Sequence, residues 1–128
     1  MKLLLDTHLL LWAAGEPQKL SAGARQFIEN PEHELHFSAA SVWEVVIKSS
    51  LERSDFNVDA RLLRRGLLDN GYVELPIHSG HAVTVDSLPA IHRDPFDRIL
   101  VAQANLEGMT LLTSDPLVAR YPGSIRQV

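Results

Sequence analysis

Four acidic residues stand where apolar segments end or where helices are predicted to begin. Asp6 ends the run LLLD, Asp115 ends TLLTSD, Glu44 lies early in SAASVWEV, and Asp97 lies inside HRDPFDRILVAQA. In sheets of parallel strands, residues that follow neighbouring strands reach the same edge of the sheet. The pattern therefore predicts that four carboxylates converge from four separate segments.

Carboxylates that converge in this way require a cation. Two of them ~5 Å apart repel each other by ~3 kcal/mol at an effective dielectric constant of about 20, and four would become protonated or weaken the fold. Ligand sets made only of oxygen select Mg²⁺ or Mn²⁺ over zinc or copper. Such an ion positions a phosphate ester, generates hydroxide from water and stabilises the leaving oxygen. The four residues therefore predict a Mg²⁺ or Mn²⁺ site for phosphate-ester chemistry.

Taken singly, these residues also have structural explanations. Asp6 could cap the helix that follows it, and Asp115 before Pro116 is a common start of a helix. Glu44 could pair with Lys48 at i+4 on a solvated helix face. Only the four acids together favour a metal site.

The motif DPFD contains two aspartates with different expected roles. Asp94 precedes Pro95, and an N-cap with proline at the next position explains it. Asp97 falls in the first helical turn, on the face that carries Leu100 and Val101 and is expected to look toward the core. We therefore expect Asp94 chiefly to begin the helix and Asp97 to bind the metal. Asp94 is close enough that it could also contribute to the metal site through a water.

Strands and helices alternate along the chain. The predicted strands are Lys2–Leu5, Glu34–Phe37, Tyr72–Leu75, Thr110–Thr113 and an edge strand Ile125–Val128. The predicted helices are Thr7–Ala14, Ser21–Asn30, Ser38–Glu52, Asp59–Asn70, His78–Leu88 and Pro95–Glu107, with a short turn from Pro116. This alternation predicts βαβ units, and hence an α/β fold with a mostly parallel sheet that helices cover on both faces.

Composition is consistent with a single domain over residues 1–128. The chain is 45% hydrophobic, has a formal net charge of -4 and contains no cysteine, which excludes disulfides and thiolate metal sites. MKLLLDTHLLLWAAG has one lysine and an internal aspartate, so it is predicted to be folded and not a signal peptide. Apolar runs stay well below the ~20 residues of a membrane span, and a cytoplasmic protein is expected.

Four segments, LLLDTH, SAASVWEV, HRDPFDRILVAQA and LLTSD, together resemble the PIN-domain nucleases, and in particular the VapC-like toxins of type II toxin–antitoxin pairs. The match runs over the whole chain, in the expected order and spacing. The resemblance implies a compact α/β/α sandwich that acts as an endoribonuclease dependent on Mg²⁺ or Mn²⁺. By position, it implies that the metal-binding acids are Asp6, Glu44, Asp97 and Asp115.

The same resemblance implies an RNA substrate and two protein contacts. One is a VapB-like antitoxin, whose extended or helical tail would cross the groove of the toxin and bring a basic side chain to the acidic site. The other is a homodimer. We expect Leu9, Leu10 and Trp12 of the first helix to help form these contacts. Trp12 and Trp43 are otherwise predicted to be core residues, with a subunit interface as the alternative.

Several residues beside the acids could act on the substrate. Thr7 and Ser114 could donate hydrogen bonds to the carboxylates or to a phosphate, or satisfy local backbone. Arg93 and Arg98 could contact RNA phosphates, although arginines beside acids are more often in surface ion pairs. His92 could donate to the substrate, but a loop histidine without a role is the favoured interpretation.

Two other functions compete with a nuclease. A haloacid-dehalogenase-like phosphatase also begins with a strand and an aspartate, but it needs a second aspartate two residues on, where this chain has His8. A catalytically silent PIN-like module would bind RNA or a protein without cutting, and loss of one acid would favour it. All four acids are present, so an active enzyme is predicted, and metal-dependent turnover separates these functions.

Overall fold

A parallel sheet lies between two layers of helices. The computed structural model describes residues 1–51 and 58–128. Its strands are β1 (Lys2–Leu5), β2 (Glu34–Ser38), β3 (Val73–Leu75), β4 (Thr110–Thr113) and β5 (Ile125–Gln127). Its helices are α1 (Thr7–Gly15), α2 (Ala22–Glu29), α3 (Ala39–Ser50), α4 (Ala60–Asp69), α5 (Ser79–Val85) and α6 (Pro95–Glu107), with 3-10 turns at Pro17–Lys19 and Val118–Arg120.

Strand order in the sheet is β3-β2-β1-β4-β5, and every pairing between the described strands is parallel. This confirms the predicted α/β fold with a parallel sheet. Within residues 1–51 and 58–128, no helix is both long enough and apolar enough to cross a membrane.

β1 sits at the centre of the sheet and is buried on both faces. Leu3 and Leu5 pack with residues of α1, α2, α3 and α4 on one face, and Leu4 packs with α6 and the chain after β4 on the other. Successive strand residues point to opposite faces, so a continuous leucine run serves both cores. The acidic residue that follows β1 is thereby held at the middle of the sheet's carboxyl edge.

The helix α6 is joined to the sheet by a buried polar bridge as well as by apolar packing. Gln103 is fully buried, accepts a hydrogen bond from the Ser38 hydroxyl (2.6 Å) and donates to the Pro76 carbonyl (3.3 Å). A buried amide must be satisfied in this way to avoid a desolvation cost. The bridge fixes α6 relative to the end of β2, and therefore fixes the start of α6 near the acidic residues.

Some element ends differ from the prediction. β3 begins at Val73, one residue late, and β5 ends at Gln127. α5 ends at Val85, and not at Leu88, because the chain continues in 3-10-type turns before Pro89, which disfavours helix at the preceding residue. The predicted turn after Pro116 occurs at Val118–Arg120. The predicted end of α3 at Glu52 lies outside the described residues.

The predicted core position of Trp43 on α3 was wrong. Its buried residues are Ala40, Ser41, Glu44 and Val45, whereas Trp43 is 59% exposed. Adjacent helical positions differ by about 100° around the axis, so turning Glu44 inward turns Trp43 outward. The requirement to bury an acid at the sheet edge decides the orientation of this helix.

The prediction that three residues of the first helix contact partners must also be corrected. Leu9 and Leu10 are each 1% exposed and belong to the core, so their side chains are not available to a partner. Trp12 is half-buried, with its ring centroid 6.0 Å from that of His8. Only Trp12 of the three predicted residues reaches the surface.

α6 ends at a glycine in the left-handed backbone conformation, and alanine substitution there and inside α4 should change stability in opposite directions. Gly108 has φ +68° and caps the helix, whereas Gly66 lies inside α4, and a Cβ at either position would meet open space among the described residues. Gly108→Ala is expected to lower the free energy of unfolding by ~1 kcal/mol because of its backbone conformation. Gly66→Ala is expected to raise it by ~0.5–1 kcal/mol. Urea unfolding measures both, and equal shifts of one sign would contradict the assignment.

Candidate metal centre

The four predicted acids lie together at the carboxyl edge of the sheet. Asp6 follows β1 and Asp115 follows β4, two paired strands, while Glu44 lies on α3 and Asp97 in the first turn of α6. Asp6 and Glu44 are 5% and 3% exposed. The side chains of Asp97 and Asp115 are 20% and 35% exposed. The site therefore has two deep carboxylates and two on the side that is open to solvent.

Asp6 is both a helix cap and a link between strands. Its Oδ1 accepts the Leu9 N–H (2.9 Å), and its Oδ2 accepts the Thr113 hydroxyl (2.6 Å) and the Ser114 N–H (3.3 Å). Burial raises the pKa of Asp6, and these three donors offset part of that rise. Capping of α1 uses only Oδ1 of Asp6. Its Oδ2 is hydrogen-bonded to the segment that carries Asp115.

Glu44 is buried and doubly hydrogen-bonded. The Thr7 hydroxyl donates to Oε1 (2.7 Å) and lies 2.9 Å from the Ser41 hydroxyl, and Lys48 Nζ lies 2.6 Å from Oε2. The pair with Lys48 that the sequence offered as an alternative does form, but with the carboxylate inside the protein and not on a solvated face. Lys48 supplies positive charge to a deep acid.

The two aspartates of the motif DPFD are placed differently. Asp94 Oδ1 accepts the Phe96 N–H (2.8 Å), which is the N-cap geometry expected for it. Burial raises the pKa of Asp97 to about 7, repulsion by Asp94 and Glu44 adds to the rise, and His92 opposes it. The ionised form of Asp97 is therefore disfavoured by burial and by its acidic neighbours, and a cation bound beside it would offset both effects.

His92 contacts two of the acids, although the sequence analysis favoured a loop histidine without a role. Its Nε2 lies 3.1 Å from Asp115 Oδ2 and 3.4 Å from Asp97 Oδ2. Asp115 Oδ1 accepts the Leu117 N–H (2.8 Å). Asp115 is 23 residues from His92 in the chain, so only the fold reveals the contact. Thr113 was missed too, although a hydroxyl two residues before an acid at a strand end was a usable signal.

The remaining predicted neighbours contact backbone and loops. Arg98 donates to the carbonyls of Pro89 (3.0 Å) and Val85 (3.3 Å) and to the Tyr121 hydroxyl (3.0 Å), so its guanidinium holds the loop before α6. Ser114 reaches Asp6 through its backbone N–H. Arg98 therefore contributes to the site indirectly, by stabilising the loop that precedes α6.

The chemistry of this donor set suits a hard divalent cation. The convergent groups are carboxylates, and the pKa values of Asp6 and Asp97 are raised when no cation offsets their burial. Oxygen donors at the mouth of an α/β sheet can bind a metal ion that acts on phosphate esters. The acidic group is therefore a candidate metal centre. Asp97 and Asp115 lie on its side that is open to solvent.

A second group of possible ligands, formed by His78, His81 and Glu107, lies between α5 and α6. His81 Nδ1 accepts the His78 N–H (3.2 Å), which leaves the ring proton on Nε2, and Nε2 is buried 3.6 Å from Glu107 Oε1. A nitrogen that carries a proton is not a metal ligand. We assign this group to helix packing.

A family model for the PIN domain matches residues 3–123. This chain belongs to the PIN domain family. Ribonuclease VapC22 of Mycobacterium tuberculosis is 33% identical over 113 residues, which cover 88% of this chain and 85% of that protein. Membership of the family predicted from the four segments is confirmed.

Solved structures match the fold of this PIN domain over nearly its whole length. VapBC2 from Rickettsia felis, bound to a DNA fragment from their promoter, gives a TM-score of 0.74 at 13% identity and covers 100% of this chain and 99% of that chain. A toxin–antitoxin complex from Klebsiella pneumoniae gives 0.65 at 17% identity and covers 97% and 95%. The predicted PIN-like three-layer α/β/α sandwich is confirmed.

Proposed function

We propose that this PIN domain, a single domain over residues 1–128, is a metal-dependent endoribonuclease and the toxin of a VapBC-type toxin–antitoxin pair. The observation that carries the proposal is the convergence of Asp6, Glu44, Asp97 and Asp115 at the carboxyl edge of the sheet. Supporting it, a ribonuclease of the VapC type is 33% identical across 88% of the chain. All four acids are present, which favours an active enzyme over a silent binding module.

The proposed metal ligands are these four carboxylates, and the proposed ion is Mg²⁺ or Mn²⁺. When bound, the ion would activate a water and stabilise charge on the phosphodiester. Asp6 and Glu44 are fixed by hydrogen bonds to Thr113 and Thr7, so they form the rigid floor of the site. Asp97 and Asp115 would complete the ligand set from the side that is open to solvent, from which RNA would approach.

A groove beside the acidic site offers a path for the RNA backbone. It has a volume of about 480 Å³ and is lined by Ala90, Ile91, His92, Arg93 and Arg98. Arg93 is exposed, whereas Arg98 is engaged with the loop. We infer that Arg93 contacts an RNA phosphate, because it places positive charge beside the acids in a chain whose formal net charge is -4.

Cleavage of a cellular RNA pool tests the proposal. The antitoxin-free protein is incubated with Mn²⁺ or Mg²⁺, with a chelator and the variant Asp6→Asn as paired controls. Asn also caps helices well, so this variant tests the carboxylate and not α1. Fragments that disappear in both controls support the nuclease. Absence of cleavage, with a melting temperature that Mn²⁺ leaves unchanged, would support the silent module.

The proposed partners are an RNA substrate and a VapB-like antitoxin. Structural neighbours of this chain include VapBC and other toxin–antitoxin complexes. A basic side chain of the antitoxin that reaches the acidic site would be attracted by Asp97 and Asp115, the two partly exposed carboxylates of the site. Addition of the cognate antitoxin is expected to stop RNA cleavage.

We also propose a homodimer that forms through an apolar groove between α3, α5 and α6. The groove has a volume of about 370 Å³ and is lined by Ala40, Trp43, Ile77, Ala82, Val85, Pro95, Phe96 and Ile99. Trp43 is 59% and Ile77 41% exposed, and the lining carries no charge, which suits a second copy of the same surface.

Sedimentation of Trp43→Asp tests this dimer. The variant is expected to sediment as a monomer, because a charge in the groove would be desolvated on association. Leu62→Asp, at an exposed apolar residue of α4, is the matched control and is expected to remain dimeric. A monomeric wild-type protein, or a monomer only for Leu62→Asp, would contradict the proposal.

A further inference from the structure

We propose that His92 is a positioning residue that holds Asp97 and Asp115 in the orientation needed to bind the metal ion. Its Nε2 lies between the two carboxylates, 3.4 Å from Asp97 Oδ2 and 3.1 Å from Asp115 Oδ2. The three ligand-type atoms all lie within 4.8 Å of one another. This inference rests on the proposed metal-dependent function.

The hydrogen bonds of the ring define His92 as a donor toward the acids. The backbone N–H of Asp94 donates to His92 Nδ1 at 3.0 Å. A neutral imidazole whose Nδ1 accepts carries its proton on Nε2. That N–H donates to Asp115 Oδ2 at 3.1 Å, and Asp97 Oδ2 lies 3.4 Å from the same nitrogen. His92 therefore acts on the acids as an N–H donor and is not itself a ligand for the ion.

The backbone N–H and carbonyl of His92 both form hydrogen bonds with the side chain of Tyr121. The Tyr121 hydroxyl accepts the His92 N–H (2.8 Å) and donates to the His92 carbonyl (3.3 Å). Arg98 donates to the same hydroxyl (3.0 Å) and to the Pro89 carbonyl (3.0 Å). Residues from α6 and from the chain after β4 therefore fix the loop, and the imidazole is held in place before any metal or RNA arrives.

Asp97 and Asp115 need such a donor because they face each other across the open side of the site. Asp115 Oδ1 is fixed by the Leu117 N–H, whereas the contact of its Oδ2 is His92. Among the ion pairs and hydrogen bonds of the described residues, His92 is the side chain that contacts Asp97. Without His92, Asp97 would lose this side-chain contact and Asp115 Oδ2 would lose its hydrogen bond, so both side chains would be free to turn. Donors to ligating carboxylates typically change metal affinity by ~10–100-fold.

Titration of the protein with Mn²⁺ tests the inference, with the melting temperature and the heat of binding as the two measurements. His92→Ala is expected to weaken Mn²⁺ binding by ~10–100-fold, and RNA cleavage is expected to recover at saturating Mn²⁺. His92→Gln, which restores a side-chain N–H, is expected to recover part of the affinity. His33→Ala is the matched control, since His33 stacks on Phe27 and bonds its carbonyl away from the acids, and it is expected to bind Mn²⁺ as the wild type does.

Each alternative outcome separates this inference from the proposed function. Unchanged Mn²⁺ affinity in a folded His92→Ala protein would overturn the positioning role and leave the nuclease intact. Cleavage that stays low at saturating Mn²⁺ would show that His92 acts on the RNA and not through the acids. A wild-type protein that binds no Mn²⁺ would overturn both proposals. If His92→Ala fails to fold, Tyr121→Phe provides the test, because it removes only the hydroxyl that fixes His92 and should weaken Mn²⁺ binding by a smaller factor.

Discussion

Asp97→Asn is expected to reduce metal-dependent RNA cleavage by more than ~100-fold, whereas Asp94→Asn should keep activity within a few-fold. Loss of an outer partner of a metal ligand already costs ~10–100-fold, so loss of a direct ligand should exceed that range. Asp94 instead caps α6 through the Phe96 N–H. Asparagine keeps this cap because its side-chain oxygen accepts the same hydrogen bond.

The two variants control each other. Both replace a carboxylate by an amide at the start of the same helix, Asp94 at the N-cap and Asp97 in the first turn, so they remove equal charge within a few residues of one site. The measurement is kcat/KM on a labelled RNA at saturating Mn²⁺, with melting temperatures to establish that both variants fold. Equal losses would mean that Asp94 also serves the metal, and a larger loss for Asp94→Asn would reverse the assignment.

The sequence located the acids because the signal is local. A carboxylate directly after a buried strand must emerge at the edge of the sheet, and this held for Asp6 after β1 and Asp115 after β4. Asp97 was identified because a charged residue shares a helix face with buried Leu100 and Val101. The continuous apolar run of β1 and the cap before α6 could likewise be predicted from residue types.

Features that depend on relative orientation could not be read in this way. The rotation of α3 follows from burying Glu44, and an apolar pattern alone instead favours burial of Trp43. Likewise, His92 lies in a loop whose position is set by Arg98 and Tyr121, residues from two other parts of the chain. Long-range packing and polar satisfaction decided these cases, and neither has a local sequence signal.

The metal-free protein is expected to lose stability as the pH rises from about 4 to about 7. The pKa of Asp97 is raised to about 7 in the folded protein, first by burial and then by repulsion from Asp94 and Glu44, against ~3.9 for an unfolded aspartate. Below ~4 both states hold the proton and the group has no effect. Between the two values the unfolded chain releases the proton while the folded protein keeps it. A single such group lowers the free energy of unfolding by at most ~1.4 kcal/mol per pH unit there, and the loss is constant above about 7.

Melting temperatures test the predicted loss of stability with rising pH. They are measured in chelator across this pH range for the wild type and two variants. Asp97→Asn removes the ionisable group, so the difference between its profile and the wild-type profile isolates the contribution of Asp97. Asp94→Asn removes one source of repulsion, so the Asp97 transition should move to lower pH.

Manganese is expected to reverse the trend in the wild type, because an ion that binds ionised carboxylates stabilises the folded protein most where they are ionised. In Asp97→Asn this recovery should be smaller. Parallel profiles for the wild type and Asp97→Asn in chelator would mean that Asp97 ionises as it does in the unfolded chain. The crowding of carboxylates would then be relieved without a metal, and the electrostatic reason for a cation at this sheet edge would be lost.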